Sequence, residues 1–185
     1  MRGRAHEEAA RCRADRDCSG TVRRSAAAQE WSTPDPAHDH TPPLGGKNYR
    51  GAGDISRVDL KHTGKHLVAN TVFRKMPYDE VAVFINTRKK RPGPEYVAYA
   101  TNWGVTLWRT GPRLVFFKKV QCAGIVEKSS KRTWKVRVRR TCIKLPSGKV
   151  PPKVHVAVRS SDENVYWTRD WAPSRQKFPP WLHAG

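Results

Sequence analysis

From Asp54 onward the chain advances in short runs whose apolar residues recur at every second position, and this period of two decides what it can fold into. Successive strand side chains point to opposite faces, so each run offers one apolar face to a core and one polar face to water. Nine segments read this way: 54–62, 66–74, 81–85, 96–101, 105–109, 113–120, 124–127, 133–140 and 153–159. Val81-Ala-Val-Phe-Ile85 is apolar throughout, which predicts a strand covered on both faces. Pro, Gly, Asn and Asp separate the runs, as turn residues do. No helix of ordinary length fits after residue 50. The expectation is an all-β fold, an antiparallel β-sandwich of about 8–9 strands, formed by residues 51–185 as a single domain.

The first fifty residues lack this pattern. Residues 1–28 are rich in Ala and Arg with no sustained apolar face, and Ser32 to Gly53 is dominated by Pro, Gly, His and Asp. Such segments bury too little apolar surface to offset the entropy of ordering them, so residues 1–50 are expected to form a disordered leader and linker. Ser25-Ala-Ala-Ala-Gln-Glu-Trp31 looks like the small-residue cleavage region of a secretory signal. The apolar run of about 7–15 residues that should precede such a site is missing from residues 1–24. Two explanations stand side by side: a chance likeness, or a leader lost through a misassigned start.

The charge falls on the β-rich part. The 185 residues carry 36 Lys+Arg against 16 Asp+Glu, a formal net charge of +20. Residues 1–50 hold nine bases and seven acids, which leaves 27 bases and nine acids, a net of +18, on residues 51–185. The basicity therefore belongs to the folded domain and not to a flexible polycationic arm. No stretch approaches the ~18 consecutive apolar residues that a membrane-spanning helix needs, and heptads and 20–50-residue repeats are missing too.

One predicted hairpin concentrates that charge. Its arms, 124–127 and 133–140, flank Lys128-Ser-Ser-Lys-Arg132. In the second arm Trp134, Val136 and Val138 fall on one face, while Lys135, Arg137 and Arg139 fall on the other. The plain reading is a solvated strand face; the functional one is a cationic stripe for a phosphate, sulfate or carboxylate polymer. Lys118 and Lys119, with Lys128, Lys131 and Arg132, extend the stripe if the hairpin packs beside the strand before it. A second cluster, Arg88, Lys89, Lys90 and Arg91, sits in a loop ahead of Pro92-Gly-Pro94, where like charges are tolerable only in water or against an anion.

Cys122 and Cys142 flank the same hairpin and are expected to lie across from each other on neighbouring strands, within reach of a disulfide. A bridge would point to an oxidising compartment; the alternative is two buried thiols in a reducing one. Cys12 and Cys18 have no nearby His and make a weak metal motif, as does His38-Asp-His40. His62 and His66 bracket Thr63-Gly-Lys65 and are expected to be exposed residues flanking a turn. No nucleophile elbow, zinc-protease helix, P-loop or dinucleotide fingerprint is present, and nothing calls for a cofactor or metal. A glycosidase needs two carboxylates facing one cleft; Asp54, Asp79 and Glu95 are the acids to test, so catalysis is unsupported.

Seven tryptophans raise the question of stacking. Trp167, Trp171, Phe178 and Trp181 are interleaved with Pro173, Pro179 and Pro180 and read as an irregular strap whose aromatics cap one end of the sandwich. The other reading is an aromatic platform for sugar rings or bases. Asn102-Trp-Gly104 is a turn, which makes Trp103 the best candidate for an exposed stacking residue at a loop tip.

Asp54-Ile-Ser-Arg-Val58, Val81-Ala-Val-Phe-Ile-Asn-Thr87, Arg91-Pro-Gly-Pro-Glu-Tyr96, the Cys122/Cys142 pair and Asp170-Trp-Ala-Pro173 together resemble a group of small secreted actinobacterial proteins of unknown function, over residues 51–182. That group is similar, more loosely, to β-sandwiches of carbohydrate-binding and cytochrome-binding type, in which an Asp-Thr-Asp turn follows a central strand. Asn86-Thr-Arg88 replaces both acids here, which argues against a divalent cation at this turn. The resemblance implies the fold and export and carries no activity.

Two functions follow as expectations. One is an exported binding module that meets an anionic glycan or cell-envelope polymer through Lys118, Lys119, Lys135, Arg137 and Arg139, with Trp103 stacking on it. The other is a nucleic-acid-binding protein using the same basic face. Both work by displacing counterions from a polyanion.

Overall fold

The computed structural model describes residues 28–35, 53–75, 80–89, 93–111, 116–122, 125–161, 169–172 and 180–185. Twelve strands carry the fold: β1 (Gln29–Pro34), β2 (Ile55–His62), β3 (His66–Phe73), β4 (Glu80–Asn86), β5 (Tyr96–Thr101), β6 (Gly104–Thr110), β7 (Phe116–Val120), β8 (Ile125–Ser130), β9 (Thr133–Arg139), β10 (Lys153–Ser161), β11 (Arg169–Ala172) and β12 (Leu182–His183). They form two antiparallel sheets, one of five strands in the order β1-β2-β3-β9-β8 and one of seven in the order β11-β10-β4-β5-β6-β7, with β12 paired to β10. The sandwich is thus as expected in class. Each of the nine expected segments contains a strand, with 113–115 and 124 outside the described residues, and β1, β11 and β12 raise the number among the described residues above the expected 8–9.

The alternation in the sequence becomes the inside and outside of each sheet. β3 buries every second residue, Leu67, Ala69, Thr71 and Phe73, and β9 buries Trp134, Val136 and Val138. These face Val81, Val83 and Ile85 of β4, Ala98 of β5 and Val154, Val156 and Val158 of β10 in one core. Complete burial of a Val, Leu or Ile side chain contributes about 1.5–3 kcal/mol, so this shared core is what holds the two sheets face to face.

β4 is buried along its whole length because the seven-stranded sheet is covered on its outer side as well. Ala82, Phe84, Val97 and Ala157 form a second apolar cluster there, with Tyr99 and Trp171 packed against it. Phe84 and Trp171 stack at 4.9 Å between ring centroids, and the Arg159 guanidinium lies over both rings.

Two expectations about the chain ends are corrected. Within the expected leader, residues 29–34 are an edge strand: β1 pairs with β2 from Gln29↔His62 to Pro34↔Arg57, and Trp31 turns inward against the core. Near the C-terminus the expected irregular strap contains β11 and β12. Trp171 covers the outer face of the seven-stranded sheet, while Trp181 packs on His155 at 3.8 Å between centroids. Trp167 and Phe178 lie outside the described residues. The last residues join the sheets, because Leu182 pairs with Val154 while the N–H of Gly185 donates to the carbonyl of His62.

Candidate functional site: a cationic strand face and the pocket at its end

The outward positions of β9 are Lys135, Arg137 and Arg139, two residues apart and therefore roughly 6.6 Å apart along the strand. Their partners are Asn70, Val68 and His66 on β3, while on β8 Glu127 is paired with Lys135 and Ile125 with Arg137. The stripe expected from the sequence is formed on the outer face of the five-stranded sheet. Lys118 and Lys119 do not join it: β7 is the edge of the other sheet, with Lys118 opposite Arg109 and Lys119 opposite Trp108. The hairpin packs its β9 arm against β3 and not against the strand that precedes it in sequence, which separates the two sets of charges.

Beside the stripe, the β1–β2 half of the same face is polar and balanced. Asp59 accepts hydrogen bonds from Ser32 Oγ (2.5 Å), Asn70 Nδ2 (3.2 Å) and Arg57 Nε (3.2 Å), and Lys61 pairs with Glu30. Glu30, Ser32, Asp59, Lys61, Asn70 and Lys135 line an open depression, with Val68 among them. This hub was missed from the sequence, although Arg57, Asp59 and Lys61 do alternate with Val58 and Leu60.

Where β9 ends, the stripe runs into a pocket of about 500 Å³. Gly64, Lys65 and His66 of the β2–β3 turn form one wall; Arg139, Arg140 and Thr141 form the other, with Val150 beside them. Arg140 starts a 3-10 turn, Arg140–Cys142, and its guanidinium donates to the carbonyls of Gly64 and Pro151, both at 3.1 Å. A Cβ at Gly64 would sit 3.0 Å from the backbone oxygen of Gly185, tighter than an ordinary van der Waals contact. Desolvation, followed by the cations of Arg137, Arg139 and Lys65, holds the His66 imidazole below the usual histidine range.

Among the described residues Asp54 pairs with Arg74, Glu80 with Arg159, Glu95 with Arg88, Asp59 with Arg57 and Glu30 with Lys61. No Asp or Glu among the described residues lines the pocket at the end of β9.

Other expected site residues divide as follows. Arg88 is held by Glu95 at 3.0 Å, and Glu95 also accepts from the N–H and hydroxyl of Thr87. Arg88 therefore braces its own loop; Lys89 is exposed, and Lys90 and Arg91 lie outside the described residues. Trp103 is at the tip of the β5–β6 turn and is 98% exposed, but that turn belongs to the other sheet. Cys122 and Cys142 form a disulfide with a Cα–Cα distance of 5.8 Å. They are not opposite one another on paired strands: Cys122 follows β7 of the seven-stranded sheet, and Cys142 ends the turn after β9 of the other.

His62 is also corrected, being buried with Nδ1 3.0 Å from the carbonyl oxygen of Leu182. Asp54 and Glu95 do not share a cleft. Asp54 precedes Ile55, which is bonded to Asp170 beside the far end of β5, whereas Glu95 immediately precedes the start of β5. Asp79 lies outside the described residues, as do Cys12, Cys18, His38 and His40. No group of three or more His, Cys, Asp or Glu among the described residues could hold a metal ion, and no described helix is long and apolar enough to cross a membrane. The chain matches no protein family, no curated protein and no solved structure.

Proposed function

We propose that the protein is an exported, non-catalytic binding module that holds an anionic glycan or cell-envelope polymer on the outer face of its five-stranded sheet. The observation that carries this reading is the ladder Lys135, Arg137 and Arg139, which repeats a cation at alternate positions on the outer face of β9. Neutralising several regularly spaced anions releases their counterions, which drives binding without a deep cleft.

Asp59 and Glu30 favour a glycan over a nucleic acid. Both line the depression that Lys135 borders, where a continuous phosphate backbone meets repulsion. A sugar chain with hydroxyls between its charges offers donors to Asp59 and partners to Ser32 and Asn70. Trp103, Lys118 and Lys119 lie on the other sheet and are not part of this surface. Export is supported by the Cys122–Cys142 disulfide. It is also supported by the position of β1, whose first residue Gln29 directly follows Ala26-Ala-Ala28, so cleavage there would leave all twelve strands intact.

The test is retention on immobilised heparin. Reversing Lys135, Arg137 and Arg139 to Glu should abolish retention, and unchanged elution would refute the ladder. Elution of the unaltered protein by duplex DNA at the same charge concentration as free heparin would turn the reading toward nucleic acid.

A further inference from the structure

The pocket at the end of β9 has a chemistry of its own. Lys65, Arg139 and Arg140 reach it from two different strand connections, and none of the three makes an ion pair among the described residues. Three positive charges around one opening, with no Asp or Glu among its described lining residues, suit an anion carrying more than one negative charge. Arg139 and Thr141 line the pocket, and a guanidinium has the planar fork that matches a tetrahedral oxyanion.

Volume narrows the ligand further. At about 500 Å³ the pocket is far larger than a bare oxyanion and lies within the roughly 300–1,000 Å³ typical of small-molecule sites. Val150 and the aliphatic stems of Lys65 and Arg139 supply apolar wall for a ring carried on the anion.

We propose that this pocket binds a sugar phosphate monoester, the dianionic group that ends or branches a glycan chain, with Lys65 and Arg139 contacting the phosphoryl oxygens. The proposal deepens the glycan reading and rests on it for the identity of the polymer. It shares Arg139 with the ladder and adds Lys65, which the ladder does not use.

The test uses the full chain and three probes, glucose 6-phosphate, inorganic phosphate and acetate, read through the titration of the His66 imidazole by NMR. A dianion beside that ring favours its protonated form, so bound glucose 6-phosphate should raise the His66 midpoint. Acetate should leave it in place. Lys65→Glu should weaken glucose 6-phosphate by about tenfold or more, and Arg139→Gln by a similar factor, whereas Lys135→Glu should leave it within about twofold. The proposal is overturned if the midpoint does not move, if acetate moves it equally, if only inorganic phosphate moves it, or if Lys65→Glu has no effect. Loss of heparin retention on reversing Lys135 and Arg137, without a glucose 6-phosphate response, removes the pocket and keeps the ladder. The opposite pair of results removes the ladder and keeps the pocket.

Discussion

The backbone N–H of Ile55 donates to Oδ2 of Asp170 at 2.5 Å, which ties the first residue of β2 in one sheet to β11 in the other. The other carboxylate oxygen of Asp170 accepts the N–H of Trp171 at 2.8 Å, and the residue is 1% exposed. A buried donor stripped of its acceptor costs about 1–3 kcal/mol, so Asp170→Ala should destabilise the fold by about 2–4 kcal/mol, as two N–H groups lose their partner together. Asp170→Asn keeps one acceptor and should cost about half as much. Urea unfolding with an unchanged slope would measure the difference; equal stabilities for the two variants would remove the inter-sheet role given to the carboxylate.

The disulfide is the covalent counterpart of that tie at another junction between the sheets. It closes a loop with a sequence separation of 20, which under the chain-entropy model stabilises the fold by about 3 kcal/mol. A double Cys122→Ser, Cys142→Ser variant should unfold at correspondingly lower denaturant. Adding a thiol reductant should bring the unaltered protein to the same midpoint while leaving the variant where it is.

How much of this was legible depends on where the physical signal lies. Alternation in β9 predicted which residues face the core, Trp134 inside and Lys135 outside, because a half-buried strand must alternate; in β3 the apolar Val68 and Val72 blurred the same signal. The unbroken apolar run of β4 likewise announced cover on both faces. β1 gave no such signal: its sequence is Gln-Glu-Trp-Ser-Thr-Pro, and only pairing with β2 makes it a strand. β11 is four residues long and buries a carboxylate, Asp170, which no apolar pattern can show. The cysteine pair was readable from its flanking position, but its geometry was not, since nothing local records that the chain leaves one sheet after β7 and enters the other at β8. For the same reason the β9 stripe was foreseen and its separation from Lys118 and Lys119 was not. The pocket needed Lys65 and Arg140 to meet through the β2–β3 turn, a contact made by tertiary structure alone.

Acid should weaken the fold through its histidines. Burial foremost, then the charges of Arg140 and His183, lowers the pKa of His62, partly offset by its bond to Leu182; His155 and His66 are lowered as well. A folded-state pKa below the unfolded value near 6.5 means that the unfolded chain takes up protons first as pH falls. Stability is therefore full above about pH 6.5 and is lost progressively below it, down to the folded-state values. The carbonyl of Leu182 requires the Nδ1–H tautomer of His62, a donor that an Asn amide can replace. His62→Asn should flatten part of the dependence between neutral pH and about pH 5, measured by urea unfolding; an unchanged slope would exclude His62 as a contributor.

The ladder should reveal its size in salt dependence. If each of Lys135, Arg137 and Arg139 neutralises one anion, single changes to Gln should lower the slope of log affinity against log salt by on the order of one each. The weakening should be similar for all three, because the cations repeat the same position on one strand face. A large loss at one residue and none at the other two would indicate a discrete site in place of a ladder.

Trp103 offers a contrast between exposure and use. It stands at the tip of the β5–β6 turn, 98% exposed, with its N–H bonded to the hydroxyl of Thr101. A side chain so exposed contributes little to packing, and Trp103→Ala should change stability by no more than about 0.5 kcal/mol. The next residue is different: Gly104 has φ +134°, a conformation that L side chains rarely adopt. Gly104→Ala should therefore cost about 1 kcal/mol or more, despite open space around it. Heparin retention should survive Trp103→Ala, since the turn belongs to the sheet opposite the ladder. Retention lost at unchanged stability would move the binding surface to this end of the seven-stranded sheet.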